Sequence, residues 1–159
     1  MREVIIIRHA IATGGRHDRH LFPPEGAPLS EQGIEDAKKL KPQLIEMGID
    51  LENEPVAVSK MIRTTQTAQN AGLQNLTEYE VLNEVDAQLP PEELDATIEA
   101  KQVPERAKEA AKRLLENLPK ENVWVTHGML IAALAEQLEI PKDELYIPVL
   151  ATITKLELP

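Results

Sequence analysis

The chain has no cysteine and is short of positive charge. Without cysteine there is no disulfide framework, no thiol nucleophile and no cysteine-based zinc site. Lysine and arginine number 17 against 27 aspartate and glutamate residues, which gives a formal net charge of -10. This charge repels nucleic acid and anionic membranes, so we expect neither as a partner. It also repels phosphorylated substrates, so a phosphate site here requires a dense local group of positive side chains.

The N-terminal part of the sequence lacks a long hydrophobic run. The first apolar run, Val4 to Ile7, is too short for a signal peptide or a membrane span. We therefore expect a cytoplasmic protein. The 159 residues suit one ordinary domain, and 42% hydrophobic with 28% charged residues is a globular composition. We expect a single domain over residues 1–159 with one site.

Segments with strand and helix patterns alternate along the chain. Val4 to Ile7 is typical of a strand covered on both faces, and the glycines and prolines of residues 10–28 predict a long loop. Further strands are predicted at 55–58, 79–82, 123–125 and 151–158, and helices at 30–48, 64–71, from 90, 104–118 and 128–138. This alternation predicts a layered α/β domain with a largely parallel sheet.

Polar side chains follow three of the predicted strands. Arg8 and His9 come at the end of the first strand. Arg63 opens the helix after the second strand, and His127 follows the strand at 123–125. Each of these residues alone has an ordinary structural explanation. Because functional sites gather at the carboxyl ends of parallel strands, their joint placement predicts one shared site.

Four segments resemble motifs of the histidine phosphatase superfamily. They are Ile7-Arg8-His9-Ala10, Pro28-Leu29-Ser30-Glu31-Gln32-Gly33, the stretch from Ser59 through Arg63 to Thr67 and Ala68, and Val125-Thr126-His127-Gly128. Their order and approximate spacing also match, and the resemblance covers most of the chain. It implies a phosphoglycerate mutase-like fold, which is a three-layer α/β/α sandwich with a mostly parallel sheet. Within the superfamily the chain looks like a short member of phosphohistidine phosphatase type.

The resemblance implies a metal-independent phosphatase in which His9 forms a phosphohistidine intermediate. A neutral imidazole is a competent nucleophile near neutral pH, because its reference pKa is about 6.5. Arg8 and Arg63 suit a phosphate because guanidinium groups bind it through two hydrogen bonds. His127 and the helix start at Gly128 would complete the phosphate cage. We expect no metal or cofactor, and a phosphorylated small molecule or a phosphoprotein as the partner.

The proton donor for the leaving group is a separate question. Leu82-Asn83-Glu84 resembles the Leu-x-Glu segment that supplies this acid in many members of the superfamily. Glu84 is therefore the predicted general acid, with Asp86 as the alternative. Both are also compatible with ordinary solvated carboxylates of an acidic chain. A phosphohistidine substrate has a nitrogen leaving group and needs less help from an acid.

The loop from Arg16 to His20 has three interpretations. His17 and His20 have a spacing that would allow a shared metal, although arginines accompany them. The same positive residues would form a lip that offsets the charge of -10 near the site. An ordinary solvated loop fits equally well.

Two other functions remain open at this stage. One is a noncatalytic module that binds a phosphorylated ligand, and the other is a phosphomutase. Ala10 replaces the glycine usual in the superfamily, and the downstream Trp-Asn of mutase-like members is absent, which disfavours a phosphoglycerate mutase. The short stretch between Glu84 and Pro104 leaves little chain for a covering insertion, so we expect a comparatively open site.

Overall fold

The computed structural model describes residues 1–14 and 20–159, and within them a mixed sheet forms the centre of the molecule. The strands are β1 (Arg2–Arg8), β2 (Pro55–Val58), β3 (Asn75–Glu78), β4 (Val123–Thr126) and β5 (Ile153–Leu158). Their order across the sheet is β3-β2-β4-β1-β5. Neighbours from β3 to β1 pair in parallel, and only β5 runs antiparallel, against β1.

Helices cover both faces of this sheet. They are α1 (Glu31–Lys38), α2 (Leu40–Glu46), α3 (Ile62–Asn70), α4 (Pro91–Glu99), α5 (Glu105–Glu116) and α6 (Gly128–Gln137). None of the helices in the described residues is long and apolar enough to cross a membrane.

The sheet separates two hydrophobic cores. Alternate residues of β4 point to opposite faces, so Trp124 lies in the core with α5 and α6, whereas Val123 and Val125 lie in the core with α2 and α3. Ile6 and Ile7 of β1 divide between the two faces in the same way. The predicted three-layer α/β/α sandwich with a mostly parallel sheet is confirmed.

The first predicted helix, residues 30–48, is divided into α1 and α2 at Lys39. Ser30 caps α1 as expected, since its side chain accepts a hydrogen bond from the amide of Gly33. Pro42 explains the division, because its ring displaces the carbonyl four residues earlier and it has no amide to donate. The periodicity of the apolar residues continues across the break, which is why the pattern alone predicted one helix.

The prediction of a third strand at residues 79–82 was wrong. Residues 79–82 do not form a strand; β3 precedes them at Asn75–Glu78, and a 3-10 turn covers Glu80–Leu82. Leu82 is the last residue of this turn, and its side chain is fully buried. Its carbonyl accepts a hydrogen bond from the Thr126 hydroxyl. The apolar residues therefore belong to the turn, while the edge strand is largely polar and exposed.

Candidate active site

The parallel pairing brings three strand ends to the same edge of the sheet. Arg8 at the end of β1 is in register with Thr126 at the end of β4, and the amide of His9 donates to the Thr126 carbonyl at 3.1 Å. Val58 at the end of β2 is in register with Val125. The residues that follow β1, β2 and β4 therefore begin at the same edge of the sheet.

Arg8 is fixed by the chain segment that precedes β5. Its Nη1 donates to the Pro148 carbonyl at 2.6 Å. Gly128 leaves the space for this guanidinium, because a Cβ there would lie 2.9 Å from Arg8 Nε and 2.7 Å from a methyl group of Ile147. Gly128 opens α6 as predicted. The glycine is therefore required by the packing of the arginine against the start of the helix.

The hydrogen bonds of His9 indicate which ring nitrogen carries the proton. His9 is only 6% exposed, and its Nδ1 lies 2.7 Å from the Ala10 carbonyl, which can only accept. The Nε–H of Arg63 points at His9 Nε2 over 3.3 Å and can only donate. Both bonds form together when Nδ1 carries the proton and Nε2 carries the lone pair. In this neutral tautomer the nitrogen with the lone pair lies beside an arginine.

Arg63 is held near the start of α3 with only 4% of its surface exposed. Besides His9 it contacts Glu84 through an ion pair of Nη2 with Oε2. Gly26 lies against the guanidinium: its φ is +87°, and a Cβ there would lie 2.8 Å from Nη1. Thr67 connects this part of α3 to β1, accepting from the Ala10 amide at 2.9 Å and donating to the Arg63 carbonyl at 2.7 Å.

His127 packs behind His9, with ring centroids 5.1 Å apart, and is completely buried. Its Nε2 lies 2.8 Å from Ser59 Oγ, which is also 2.8 Å from Thr64 Oγ1. Thr64 has backbone carbonyl acceptors, among them that of Met61 at 2.9 Å. If its hydroxyl donates there, the Ser59 hydroxyl donates to Thr64, and His127 Nε2–H donates to Ser59. In the sequence, Ser59 stands out only as part of a motif, and no local pattern indicates a role for Thr64.

The two candidate acids differ in position. Glu84 is paired with Arg63 beside His9 and is half-buried. Asp86 is exposed, and its carboxylate accepts a hydrogen bond from the Gln88 amide at 3.0 Å. The sequence ranked Glu84 first, and the structure places it closer to the other predicted residues.

A cavity of about 740 Å³ opens at this edge of the sheet. Arg8, His9, Arg63 and Glu84 all line it. His127 and Gly128 are not among the described lining residues. Leu94 of α4 and Met61 also contribute to the wall, and sequence reasoning did not find them because apolar residues there carry no chemical signal.

The predicted lip from Arg16 to His20 lies outside the described residues except for its last member. His20 is exposed and lines the cavity. Among residues 1–14 and 20–159 there is no cluster of three or more histidine or acidic side chains suited to a metal ion. His17 lies outside these residues, so a metal shared by His17 and His20 stays an untested suggestion.

The fold and the site define an α/β protein with a cavity at the carboxyl edge of its sheet, in which two arginines lie near a histidine whose Nε2 faces an arginine donor. A model of the histidine phosphatase superfamily, branch 1, matches residues 4–89. The chain belongs to the histidine phosphatase superfamily. The superfamily consists of phosphatases and mutases, so the chemistry is of phosphoryl-transfer type. None of the curated proteins matches the chain.

Solved structures share the fold at low sequence identity. TTHB049 from Thermus thermophilus superposes with a TM-score of 0.69 at 22% identity, over 99% of this chain and 94% of that chain. A phosphoglycerate mutase from the same organism gives identical values. YhfR from Bacillus stearothermophilus gives a TM-score of 0.65 at 22% identity, over 100% of this chain and 92% of that one. At this identity the likeness shows the fold.

Proposed function

We propose that the chain is a metal-independent phosphatase that hydrolyses phosphomonoesters or protein phosphohistidine through a phosphohistidine intermediate on His9. The observation that carries this proposal is the hydrogen-bond pattern of His9. Its Nδ1–H is bound to the Ala10 carbonyl, and its Nε2 lies 3.3 Å from Arg63 Nε in the cavity. A lone pair beside a fixed guanidinium is the arrangement that a nucleophile toward a phosphate dianion requires.

In the first step the lone pair of His9 Nε2 forms a bond to phosphorus. The bond between phosphorus and the ester oxygen breaks, and its electron pair leaves with that oxygen, which takes the proton from the carboxylic acid form of Glu84. Arg8 and Arg63 stabilise the charge on the remaining phosphoryl oxygens. In its protonated form His127 would add positive charge behind His9.

In the second step a water molecule attacks phosphorus. The bond from phosphorus to His9 Nε2 breaks, and its electron pair returns to the nitrogen. The proton of the attacking water passes to the carboxylate of Glu84, which restores the starting state apart from release of phosphate. Glu84 lies beside Arg63 in the cavity wall, a position from which one carboxyl group can serve both steps.

Hydrolysis of p-nitrophenyl phosphate in EDTA tests the proposal. We expect turnover by the parent protein, and loss of at least about a thousandfold in kcat for His9→Asn, because no other nucleophile replaces the imidazole. Reaction with labelled substrate, quenched in alkaline detergent, should yield a phosphoenzyme that is stable to alkali, labile to acid and absent from the variant. An unchanged melting temperature of the variant serves as the control for folding.

Other outcomes of this experiment would contradict the proposal. Unchanged activity in His9→Asn would exclude His9 as the nucleophile. Phosphate binding without turnover of any ester would identify a noncatalytic binding module. Return of the phosphoryl group to an organic acceptor instead of water would identify a mutase, the activity named for the Thermus neighbour with the same fold.

A further inference from the structure

The cavity extends well beyond the group that would hold a phosphate. Its volume of about 740 Å³ lies in the range of pockets for whole small-molecule ligands, about 300–1,000 Å³. Arg8, His9 and Arg63 occupy one part of its wall. A phosphoryl group at His9 would fill only a small part of this space, so the remainder is available to the leaving group.

Apolar side chains form much of the remaining wall. Among them are Phe22, Pro24, Met61, Val85, Leu89 and Leu94. These six come from three separate parts of the chain: the segment before α1, the N-cap of α3, and the stretch that runs from Val85 into the first turn of α4. An apolar leaving group would remove this surface from water, which is favourable, whereas a strongly hydrated one would lose its hydration without replacement.

The charges in the wall also bear on the leaving group. Glu84 and Asp86 both line the cavity, on the segment that leads from the phosphate end toward Leu89. Glu84 is offset by its ion pair with Arg63, and His20 also lines the wall, so Asp86 is the acidic group that a carboxylate or a second phosphate on the leaving group would approach, in a protein whose net charge is already -10. This arrangement disfavours substrates that carry a negative charge besides the phosphate, such as phosphorylated carboxylic acids.

On the basis of the proposed function, we infer that the substrate is a phosphomonoester of a small, neutral and largely apolar alcohol. Its phosphate lies at His9 and Arg63, and its hydrocarbon part packs against Met61, Leu89 and Leu94. The inference selects the small-molecule ester from the two substrate classes named above, because a cavity of this size accepts one small molecule better than a protein surface.

A series of alkyl phosphates with equally poor leaving groups tests the inference. Each buried methylene is expected to raise kcat/KM about fourfold, so a half-buried chain makes hexyl phosphate about thirtyfold better than methyl phosphate. The phosphate ester of ω-hydroxyhexanoate has the same chain with a terminal carboxylate. It should be at least about tenfold poorer than hexyl phosphate.

Two variants on α4 locate the apolar subsite. Leu94→Asn should lower kcat/KM for hexyl phosphate about tenfold and leave methyl phosphate unchanged, because only the longer chain reaches this wall. Ile98→Asn is the matched control: it introduces the same side chain one turn later, at a half-buried position outside the described cavity wall. It should leave the preference for hexyl phosphate intact.

Failure of the inference is distinguishable from failure of the proposed function. Equal kcat/KM for the three esters, or a higher value for a phosphohistidine peptide than for hexyl phosphate, would overturn the inference while activity that depends on His9 persists. Absence of turnover on every ester and on the peptide would overturn the proposed function itself, and the inference with it.

Discussion

At the scale of single residues, Arg63 holds two groups that the proposed reaction uses. Its Nε donates to His9, and its Nη2 pairs with the Glu84 carboxylate. A substrate phosphate would take donors of the same guanidinium, so phosphate and carboxylate compete for it. As a carboxylate paired with Arg63, Glu84 has no proton to give, so it must leave Arg63 and take up a proton before it can act as the acid.

Replacement of the carboxyl group by an amide tests this role of Glu84. Glu84→Gln should slow formation of the phosphoenzyme from alkyl phosphates by about a hundredfold, because an alkoxide leaves slowly without a proton. Formation of the phosphoenzyme from p-nitrophenyl phosphate should change much less, since nitrophenolate leaves unprotonated. The measurement is the rate of leaving-group release in the first turnover at saturating substrate, which separates the first step from the second step and from the effect of the lost ion pair on binding.

Glu80→Gln provides the matched control, as it makes the same change in charge at an exposed residue of the 3-10 turn. The reaction of neither substrate should be slowed in Glu80→Gln. Equal slowing of both substrates in Glu84→Gln would remove Glu84 from the role of acid. Selective slowing in Asp86→Asn, with Glu84→Gln unaffected, would transfer the role to the alternative carboxylate.

At the scale of secondary-structure elements, Tyr79 connects the end of β3 to the turn before β4, and neither it nor Glu121 is among the described residues of the cavity wall. Its hydroxyl donates to Glu121 Oε1 at 2.7 Å, and Glu121 is only 3% exposed. The Glu121 carbonyl also accepts from Trp124 Nε1 at 2.7 Å. The hydrogen bond to Glu121, followed by burial, raises the pKa of Tyr79 above its ordinary value of 10.0.

Loss of this hydroxyl should destabilise the fold without affecting the site. Tyr79→Phe should lower the free energy of unfolding by about 1–3 kcal/mol, because a buried carboxylate loses a donor. Urea unfolding at neutral pH measures the effect. Tyr146→Phe is the matched control. It should lower the free energy of unfolding by less, because the Tyr146 hydroxyl donates to the Gln102 carbonyl at an exposed position.

The raised pKa of Tyr79 also predicts the pH dependence of this contribution. A group whose pKa is higher in the folded state stabilises the fold fully below its unfolded pKa, about 10. The contribution is then lost as pH rises through the folded value. The difference in free energy of unfolding between the parent protein and Tyr79→Phe should therefore become smaller at alkaline pH. A difference that becomes larger would contradict the assigned hydrogen bond from Tyr79 to Glu121.

At the scale of the whole molecule, the site is assembled from distant parts of the chain. Arg8 and His9 follow β1, Arg63 lies on α3, Glu84 follows the 3-10 turn, and His127 follows β4. An anion bound among these residues contacts several elements at once and binds only the folded state. Binding should therefore stabilise the fold as a whole.

Thermal melting with inorganic phosphate measures this coupling. At a hundredfold excess over Kd, binding contributes about 2.7 kcal/mol, which corresponds to a rise of roughly 5–10 °C in Tm for a chain of this size. Arg63→Ala should abolish the rise. Arg113→Ala removes an exposed arginine from the last turn of α5, and phosphate should still raise the Tm of this variant. A rise that survives in Arg63→Ala, or that chloride at equal ionic strength reproduces, would contradict a specific site.

The sequence by itself determined the fold class and the position of the key side chains at strand ends. These depend on local patterns: β-branched runs for β1 and β4, helical spacing for α5 and α6, and a polar residue directly after each strand. The capping role of Ser30 was predictable for the same reason. The division of the first helix at Lys39 was not predictable, because apolar periodicity does not distinguish a continuous helix from a broken one. The position of β3 was not predictable either, because a short apolar run does not distinguish a strand from a buried turn.

Only the tertiary structure decided how the site residues contact each other. The bond from Arg63 to His9, the ion pair of Arg63 with Glu84 and the contact of His127 with Ser59 join residues 21 to 68 positions apart. The space left by Gly26 and Gly128 for the two arginines depends equally on packing. Sequence patterns report the conformation of near neighbours, whereas these contacts arise from the parallel pairing that brings distant strand ends to one edge.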